Sequence, residues 1–343
     1  DYNRPHGQLV FNNDATARLE YGCGVYGMHR TLKWERLLKQ LACRTLGLPA
    51  ACAVPACTVL FELGLTTAYA RVHMHRLRLF TTICNAGNGT NSRIRELWNA
   101  HSANYAANPH PAMWRARVLE SLTWVGKAHC IDAGWDINQD GSVKDAVMAA
   151  ATRDVHADIA TYPSLDPGYR DVIRDGRLTL QWYTTHQRAD VVEVWARLRI
   201  GQTVLYERTR RFGPNAIADR AMRLCPFCNV ECESSKHFLI RCPRWAAQRA
   251  GAEGRILESD RVSAFFKQAA RTISERPDTW YAILLCGHLP PEFGDDYNRP
   301  HGQLVFNNDA TARRVLPDRT AVLSLLGTHI LRWYNERREN EPT

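Results

Sequence analysis

Residues 224–245 read LCPFCNVECESSKHFLIRCPRW, and the interpretation of the whole chain begins with this stretch. Cys225 and Cys228 form a Cys-x-x-Cys turn, which places two thiolates on one side of a small ion. His237 follows nine positions after Cys228, and Cys242 follows five positions after His237. About one helical turn therefore separates the last two donors, and four such donors can close a tetrahedron around one ion. The spacing predicts a structural zinc site, a zinc knuckle.

Neighbouring residues leave alternatives open around this motif. Cys232 lies inside the loop and is a rival ligand, although His237 is favoured because residues 238–240 give it an apolar element to pack on. Glu231 and Glu233 are either acceptors that orient the ligands or exposed charges. The alternative for the whole motif is a set of buried core cysteines that bind no metal.

Basic residues surround the motif in the sequence and form what we call the cationic collar. It comprises Arg208, Arg210, Arg211, Arg220, Arg223, Lys236, Arg241, Arg244 and Arg249. The whole chain has a formal net charge of +9, and the planar guanidinium of arginine suits phosphate. We therefore expect RNA or DNA as a partner. A soluble basic protein without an anionic partner is the alternative.

Composition limits the class of protein. The chain has 343 residues, of which 45% are hydrophobic, so it is long and apolar enough for two or three domains with cores. Its eleven cysteines are an odd number and scatter outside the knuckle. This usage favours an intracellular protein with reduced thiols over a secreted disulfide framework. No apolar run approaches the roughly 18 residues needed to span a bilayer, so we expect no membrane partner.

Helical periodicity dominates the chain, and few stretches alternate with period two, so the predicted fold is mainly α. Helices are predicted over residues 33–46, 56–62, 68–84, 93–104, 112–126, 187–200, 260–275 and 320–338, with a further helix capped by Ser142. Residues 131–141 are predicted to be a loop. In the helix over 68–84, Val72, Leu79, Phe80 and Ile83 are expected to point inward.

Residues 1–18 and 296–313 are identical and read DYNRPHGQLVFNNDATAR. Such complete identity differs from structural repeats, which keep a core pattern and vary elsewhere. It indicates a recent duplication, a recombination junction or an assembly error in the underlying gene. Both copies are polar and turn-rich, so we predict loops and assign them no function.

Several further motifs occur in a characteristic order. They are YGCGVYG (21–27), LLKQLACRTLGLP (37–49), VLFELGL (59–65), RLRLF (76–80), WARLRIGQT (195–203), RRFG (210–213) and then the knuckle. From about residue 19 to residue 289, the chain resembles the region after the polymerase core in reverse transcriptases of non-LTR (LINE-type) retrotransposons. Each motif is common alone, whereas the order and spacing are more specific.

The resemblance implies a helical thumb and linker followed by a Cys-Cys-His-Cys knuckle. The implied segments are a loop (1–18), a thumb-like domain (19–90), a linker (91–186), the knuckle module (187–250) and a helical tail (251–343). Basic side chains would hold nucleic acid by its backbone. The candidate contacts are Arg36, Arg44, Arg71, Arg76 and Arg78 in the thumb, and Arg208, Arg210, Arg211, Lys236, Arg241 and Arg244 around the knuckle.

The implied function is that of a nucleic-acid-binding C-terminal portion of an RNA-directed DNA polymerase. This portion is noncatalytic, because the carboxylates that hold two Mg²⁺ ions would belong to subdomains that precede Leu19. We expect it in a nuclear or cytoplasmic ribonucleoprotein. One alternative is a structural or protein-interaction zinc module from a decayed retroelement, and a second is a fragment of a restriction-like nuclease.

Three short patterns resemble the motifs of other catalytic or metal-binding sites. Residues 293–296 (FGDD) match an aromatic-x-Asp-Asp motif by letter, but flanking prolines oppose a strand hairpin and favour a turn. Residues 136–142 (DINQDGS) imitate a calcium loop, yet Val147 stands where a bidentate acid is needed. An Asx-rich turn before a helix is the better interpretation. Residues 277–278 (PD) resemble the start of a nuclease motif that no Asp-and-Lys set completes.

Overall fold

The structure, a computed structural model, describes most of the chain between residues 31 and 262 and a helical segment near its end. The described residues are 31–50, 52–85, 92–111, 113–162, 182–185, 188–211, 214–262, 264, 267, 281, 325–327 and 329–340. Within them the fold is mainly α, as predicted, and β-pairing is limited to isolated bridges such as the one between Leu224 and Cys232. No helix in this described part is long and apolar enough to cross a membrane.

The secondary structure consists of helices of very different length. The α-helices are α1 (Thr31–Thr45), α2 (Ala56–Glu62), α3 (Ala68–Cys84), α4 (Ser92–Ala107), α5 (Trp114–Trp124), α6 (Cys130–Ala133), α7 (Ile137–Asp140), α8 (Val143–Thr161), α9 (Ala189–Ile200), α10 (Tyr206–Thr209) and α11 (Ala246–Glu258). Single turns of 3-10 helix cover Trp182–Thr185, Arg220–Met222 and Pro243–Trp245. A π-helical turn covers His237–Arg241, and the C-terminal helix includes residues 325–327 and 329–339.

The predicted helices that fall on described residues are confirmed to within a few positions. Ser142 caps α8 as expected, because its Oγ accepts the Asp145 N–H at 3.0 Å. The predicted loop over 131–141 is partly wrong, since it contains the single-turn helix α7. Asp136 stabilises that turn by accepting the Asn138 N–H on Oδ1 at 2.9 Å, which agrees with an Asx-type cap.

The inward face of α3 is rotated from the predicted one. Val72, Phe80 and Ile83 are buried as expected, but Leu79 is 36% exposed. Leu77 is fully buried in place of Leu79. The buried face of the helix also includes His73 and Arg76, so its centre is rotated toward these residues. His73 and Arg76 are therefore buried on this helix, whereas Leu79, which hydrophobic periodicity placed inside, is exposed.

Several predictions concern residues outside the described part of the chain. These are the two identical segments, the YGCGVYG motif, the FGDD pattern, the PD pair and most of the predicted helix over 260–275. They stay predictions.

The chain divides into two compact units, each built from segments that are distant in sequence. Among the described residues, unit 1 contains 31–39 and those within Thr66–Ala157. Unit 2 contains those within Gln40–Leu65 and the described residues from Asp158 onwards. The five predicted segments stay predictions.

Unit 1 has an apolar core that also encloses two basic side chains. Leu77, Phe80, Val118 and Leu122 are among the core residues of this unit. Arg76 is fully buried and donates to the Arg117 carbonyl at 3.0 Å and to the Ser121 hydroxyl at 2.9 Å. Burial and the neighbouring Arg76 guanidinium lower the pKa of His73 to about 3, so its imidazole stays neutral.

The prediction of Arg76 as a nucleic-acid contact is wrong. Its guanidinium is enclosed by α5 and has no exposed surface to offer a phosphate. A charge pattern along one helix does not reveal this, because an arginine on a helix is far more often solvated than buried. Its role is to satisfy backbone and hydroxyl acceptors inside unit 1.

Unit 2 contains a buried ion pair between α2 and α9. The Glu62 carboxylate accepts hydrogen bonds from Arg199 Nε at 2.7 Å and from the Tyr183 hydroxyl at 2.6 Å. The Arg199 and Glu62 side chains are 1% and 0% exposed. Where α1 turns back toward these helices, Gly47 has a φ of 71°, and a Cβ there would lie 2.9 Å from the Glu193 Cβ. The LGLP turn therefore requires glycine at this position.

We predict that Glu62→Gln lowers the free energy of unfolding by about 3–5 kcal/mol, because Arg199 would remain buried without a counter-charge. Urea unfolding followed by circular dichroism measures the change. The matched control is Asp190→Asn, which removes the acid of the exposed Arg188–Asp190 pair and should cost about 1 kcal/mol or less. Equal losses in the two variants would contradict the prediction.

Candidate metal centre

The first half of the knuckle is a tight hairpin. Leu224 and Cys232 form an antiparallel bridge, and the Cys225 N–H donates to the Glu231 carbonyl at 2.9 Å. Between them the Asn229 N–H donates to the Cys225 carbonyl at 2.8 Å. Asn229 has a φ of 54°, a left-handed conformation that asparagine tolerates better than most residues. This turn brings the Cys225 and Cys228 side chains to the same side of the hairpin.

The second half is the π-helical turn over His237–Arg241. Ser234 begins it, because its Oγ accepts the His237 N–H at 3.1 Å. The Cys242 N–H closes it by donating to the His237 carbonyl at 2.8 Å. The extra residue of a π-turn changes the angle between side chains at its two ends. His237 and Cys242 therefore face the same point in space.

The four predicted ligands come together. Their donor atoms lie within 4.8 Å of one another. The Cys225 and Cys242 sulfurs are 3.8 Å apart, and Cys228 Sγ is 3.3 Å from His237 Nε2. A tetrahedral ion with bonds of about 2.3 Å to sulfur and 2.0 Å to nitrogen requires S···S near roughly 3.8 Å and S···N near roughly 3.5 Å. The cluster therefore has the dimensions needed to hold one metal ion.

Cys232, the rival ligand, is not among the clustered donors. It pairs through its backbone with Leu224 on the hairpin. The structure thus resolves the alternative in favour of His237.

Glu231 and Glu233 have different roles. The Glu231 Oε1 lies 2.9 Å from His237 Nδ1, and its Oε2 lies 3.3 Å from an Arg241 nitrogen. A carboxylate on Nδ1 orients the ring and leaves Nε2 directed at the cluster. Glu233 is fully buried and pairs with Arg337 of the C-terminal helix at 2.6 and 2.8 Å. One acid therefore supports a ligand, and the other anchors a helix.

Aromatic side chains enclose the knuckle. Phe238 is fully buried and Trp245 is 1% exposed, with ring centroids 5.7 Å apart in an edge-to-face arrangement. Phe227 makes a similar contact with Trp245 at 5.7 Å. The Arg337 guanidinium lies over the Phe227 ring at 5.1 Å from its centroid. Phe238 and Trp245 therefore pack around the site, and neither has a face exposed for base stacking.

The ligands differ in their protonation. A hydrogen bond to Cys242 and burial raise the pKa of Cys225 to about 12, and burial raises the pKa of Cys228. The same hydrogen bond lowers the pKa of Cys242. Burial opposes the charged form of His237, but hydrogen bonds to Cys225 and Glu231 raise its pKa overall. At neutral pH a metal ion must therefore displace protons from these groups to bind.

We predict that metal uptake at pH 7 releases at least two protons, from Cys225 and Cys228, whose pKa values are raised. Apparent affinity should therefore rise with pH by roughly 100-fold per unit across the neutral range. Competition with a chelator of known protonation behaviour, repeated from pH 6 to pH 8, measures the slope. A flat profile would contradict the assignment of these thiols as ligands.

We predict that Glu231→Gln weakens metal binding by roughly 10–100-fold without unfolding the knuckle. The amide still occupies the space of the carboxylate but no longer supplies the charge that orients His237. Chelator competition measures the affinity of the variant. Glu258→Gln is the control, because Glu258 is an exposed acid on α11, and its affinity should equal that of the parent chain.

The cationic collar is not uniform. Arg223 is 8% exposed and donates to the carbonyls of Glu207, Ile217 and Ala218, so it holds the loop before the knuckle closed. Arg220 forms an ion pair with Glu207. Among the predicted contacts of this region, Arg241 and Arg244 are exposed, and the half-buried ones are Arg208, Arg210, Arg211 and Lys236.

In the predicted thumb, Arg36, Arg44 and Arg78 are exposed and Arg71 is half-buried. These positions are compatible with solvent contact, unlike that of Arg76. Sequence reasoning missed Arg337 altogether. It lies 104 positions from Glu233, and no local pattern indicates a partner at that separation.

No family model matches the chain, and neither a curated protein nor a solved structure matches it. The metal-binding geometry and the basic side chains around it are therefore the basis for a functional proposal.

Proposed function

We propose that the chain is a nucleic-acid-binding module organised by a structural zinc ion. The observation that carries this proposal is the convergence of Cys225, Cys228, His237 and Cys242 on one point, next to basic side chains that face solvent. The zinc ion and the polyanionic partner rest on different features of unit 2.

The nature of the donors supports zinc. Thiolates and imidazole suit this ion, and a set of four protein donors leaves no open position for a substrate. Cys225 and Cys242 are fully buried and His237 is 2% exposed. Such a closed site stabilises a fold and performs no chemistry on a ligand.

Exposed cations next to the ligands support a polyanionic partner. Arg241 and Arg244 flank Cys242 and are both exposed. Lys236 directly precedes His237 and is half-buried. Because the ion holds the backbone at these positions, it also determines where the charges point. Contacts of this kind bind phosphates with little dependence on base sequence.

The order of motifs supports a more specific hypothesis. We propose that the chain is the C-terminal portion of a LINE-type reverse transcriptase that binds RNA and target DNA. It is noncatalytic in this form, because that family's Mg²⁺-binding carboxylates would lie in subdomains before this portion. The exposed Arg36, Arg44 and Arg78 would then contact the backbone of a primer-template duplex.

A specific observation favours the second candidate, a structural or protein-interaction module. Arg241 and Arg244 each lie near an acid, with Arg241 3.3 Å from Glu231 and Arg244 3.8 Å from Glu336. Such exposed pairs are weak, but they reduce the charge available for phosphate. In this alternative the ion serves the fold alone.

Salt dependence separates the two candidates. We predict that the zinc-loaded chain binds single-stranded RNA and duplex DNA at 50 mM salt and loses affinity steeply by 200 mM. The variant Arg241→Gln/Arg244→Gln should weaken binding and reduce the slope of log K against log salt by about two. Fluorescence anisotropy with labelled oligonucleotides measures both quantities.

The control variant is Arg255→Gln/Arg261→Gln, which removes two exposed arginines of unit 2 outside the collar. It has the same net charge as the test variant and should retain the slope of the parent chain. An identical loss in both variants would indicate nonspecific attraction. No binding at 50 mM salt would favour the structural module.

A further inference from the structure

A second group of donor side chains lies in unit 1, far from the knuckle in sequence. His129 and Cys130 stand at the start of α6, and Asp140 ends α7. Cys130 Sγ is 3.5 Å from His129 Nε2 and 3.4 Å from Asp140 Oδ2. His129 Nε2 is 3.3 Å from Asp140 Oδ1. One sulfur, one nitrogen and one carboxylate therefore meet at a single point.

These separations match those around a bound ion. For bonds of about 2.3 Å to sulfur and about 2.0 Å to nitrogen and oxygen, a tetrahedral ion requires S···N and S···O near roughly 3.5 Å. The corresponding N···O separation is roughly 3.3 Å. The S···N spacing is 3.5 Å, the spacing from Cys130 Sγ to Asp140 Oδ2 is 3.4 Å, and the spacing from His129 Nε2 to Asp140 Oδ1 is 3.3 Å. These values are close to the required ones, and because they involve both oxygens of Asp140, an ion would contact the carboxylate from the side that faces His129 and Cys130.

Surrounding residues hold Cys130 and Asp140 in place. The Asp136 N–H donates to Asp140 Oδ2 at 3.1 Å, which orients the carboxylate. Cys130 is fully buried in the core of unit 1. The Trp135 indole N–H donates to the Gly141 carbonyl at 2.9 Å, tying the two turns together. Two of the three donors are therefore already ordered before an ion binds.

We propose that His129, Cys130 and Asp140 bind a divalent transition-metal ion, with a fourth position open to solvent. The opening is on the side of His129, whose side chain is 65% exposed, whereas that of Asp140 is 6% exposed. The mixed sulfur, nitrogen and oxygen donors suit Zn²⁺ or Co²⁺ better than Mg²⁺ or Ca²⁺. On binding, Cys130 transfers its thiol proton to solvent, so one thiolate and one carboxylate balance the charge of the ion.

Lys127 offers a specific test of this proposal, because it forms an ion pair with Asp140. Its ammonium occupies one carboxylate oxygen of Asp140 and competes with a cation for the same charge. Removing the ammonium should therefore strengthen metal binding by roughly tenfold. A group of side chains that only hydrogen-bond to one another would gain no such affinity.

The experiment uses the full chain and Co²⁺ as the probe, followed by thiolate-to-cobalt absorption and by metal analysis after gel filtration. The parent chain should bind two equivalents, and His129→Ala should bind one while keeping the strong absorption of the three knuckle thiolates. Because His129 is exposed, this variant should fold. His110→Ala, which removes another exposed histidine of unit 1, should keep two equivalents.

Lys127→Met should bind the second equivalent more tightly than the parent chain. One equivalent in the parent chain would overturn the proposal. So would an equal loss in His129→Ala and His110→Ala, which would assign the second ion to surface histidines in general. An unchanged second affinity in Lys127→Met would also overturn it, because the ion would then not share Asp140 with that lysine.

Discussion

Unit 2 depends on one geometric constraint, that two short turns must direct three sulfurs and one imidazole at the same point. One turn contains a π-bulge, and the other contains a left-handed asparagine. Such turns are weak in isolation, because few backbone bonds offset the loss of conformational freedom. An ion bound at Cys225, Cys228, His237 and Cys242 would join the two turns. Because the site forms only in the folded chain, the free energy of metal binding would stabilise the folded state.

Buried charges connect the knuckle region to the remainder of its unit. Glu233 pairs with Arg337, and Glu62 pairs with Arg199, in each case between segments more than one hundred residues apart. A buried pair contributes little net stability, but leaving one partner alone is costly. The arrangement therefore disfavours other ways of packing these helices, because any alternative would have to bury an unpaired charge.

Much of this structure follows from the sequence, and what does not follow has a physical reason. Ligand spacing predicted the four clustered donors, and periodicity with capping residues predicted most helices. Leu79 was predicted to point inward, and Arg76 was predicted to contact nucleic acid. Both predictions failed because Arg76 is buried in a polar network with Ser121, which rotates the inward face of α3. Contacts such as Glu233–Arg337 depend on the path of the chain in three dimensions, which no short pattern records.

The Glu233–Arg337 pair also bears on how far the chain can be shortened. Arg337 lies in a helix that pattern alone would mark as a dispensable tail. Without this helix the buried Glu233 carboxylate would keep its hydrogen bond from the Tyr206 N–H at 2.8 Å but lose its counter-charge. The helix therefore forms one side of the knuckle, and removing it would disturb a site that lies 104 residues earlier in the chain.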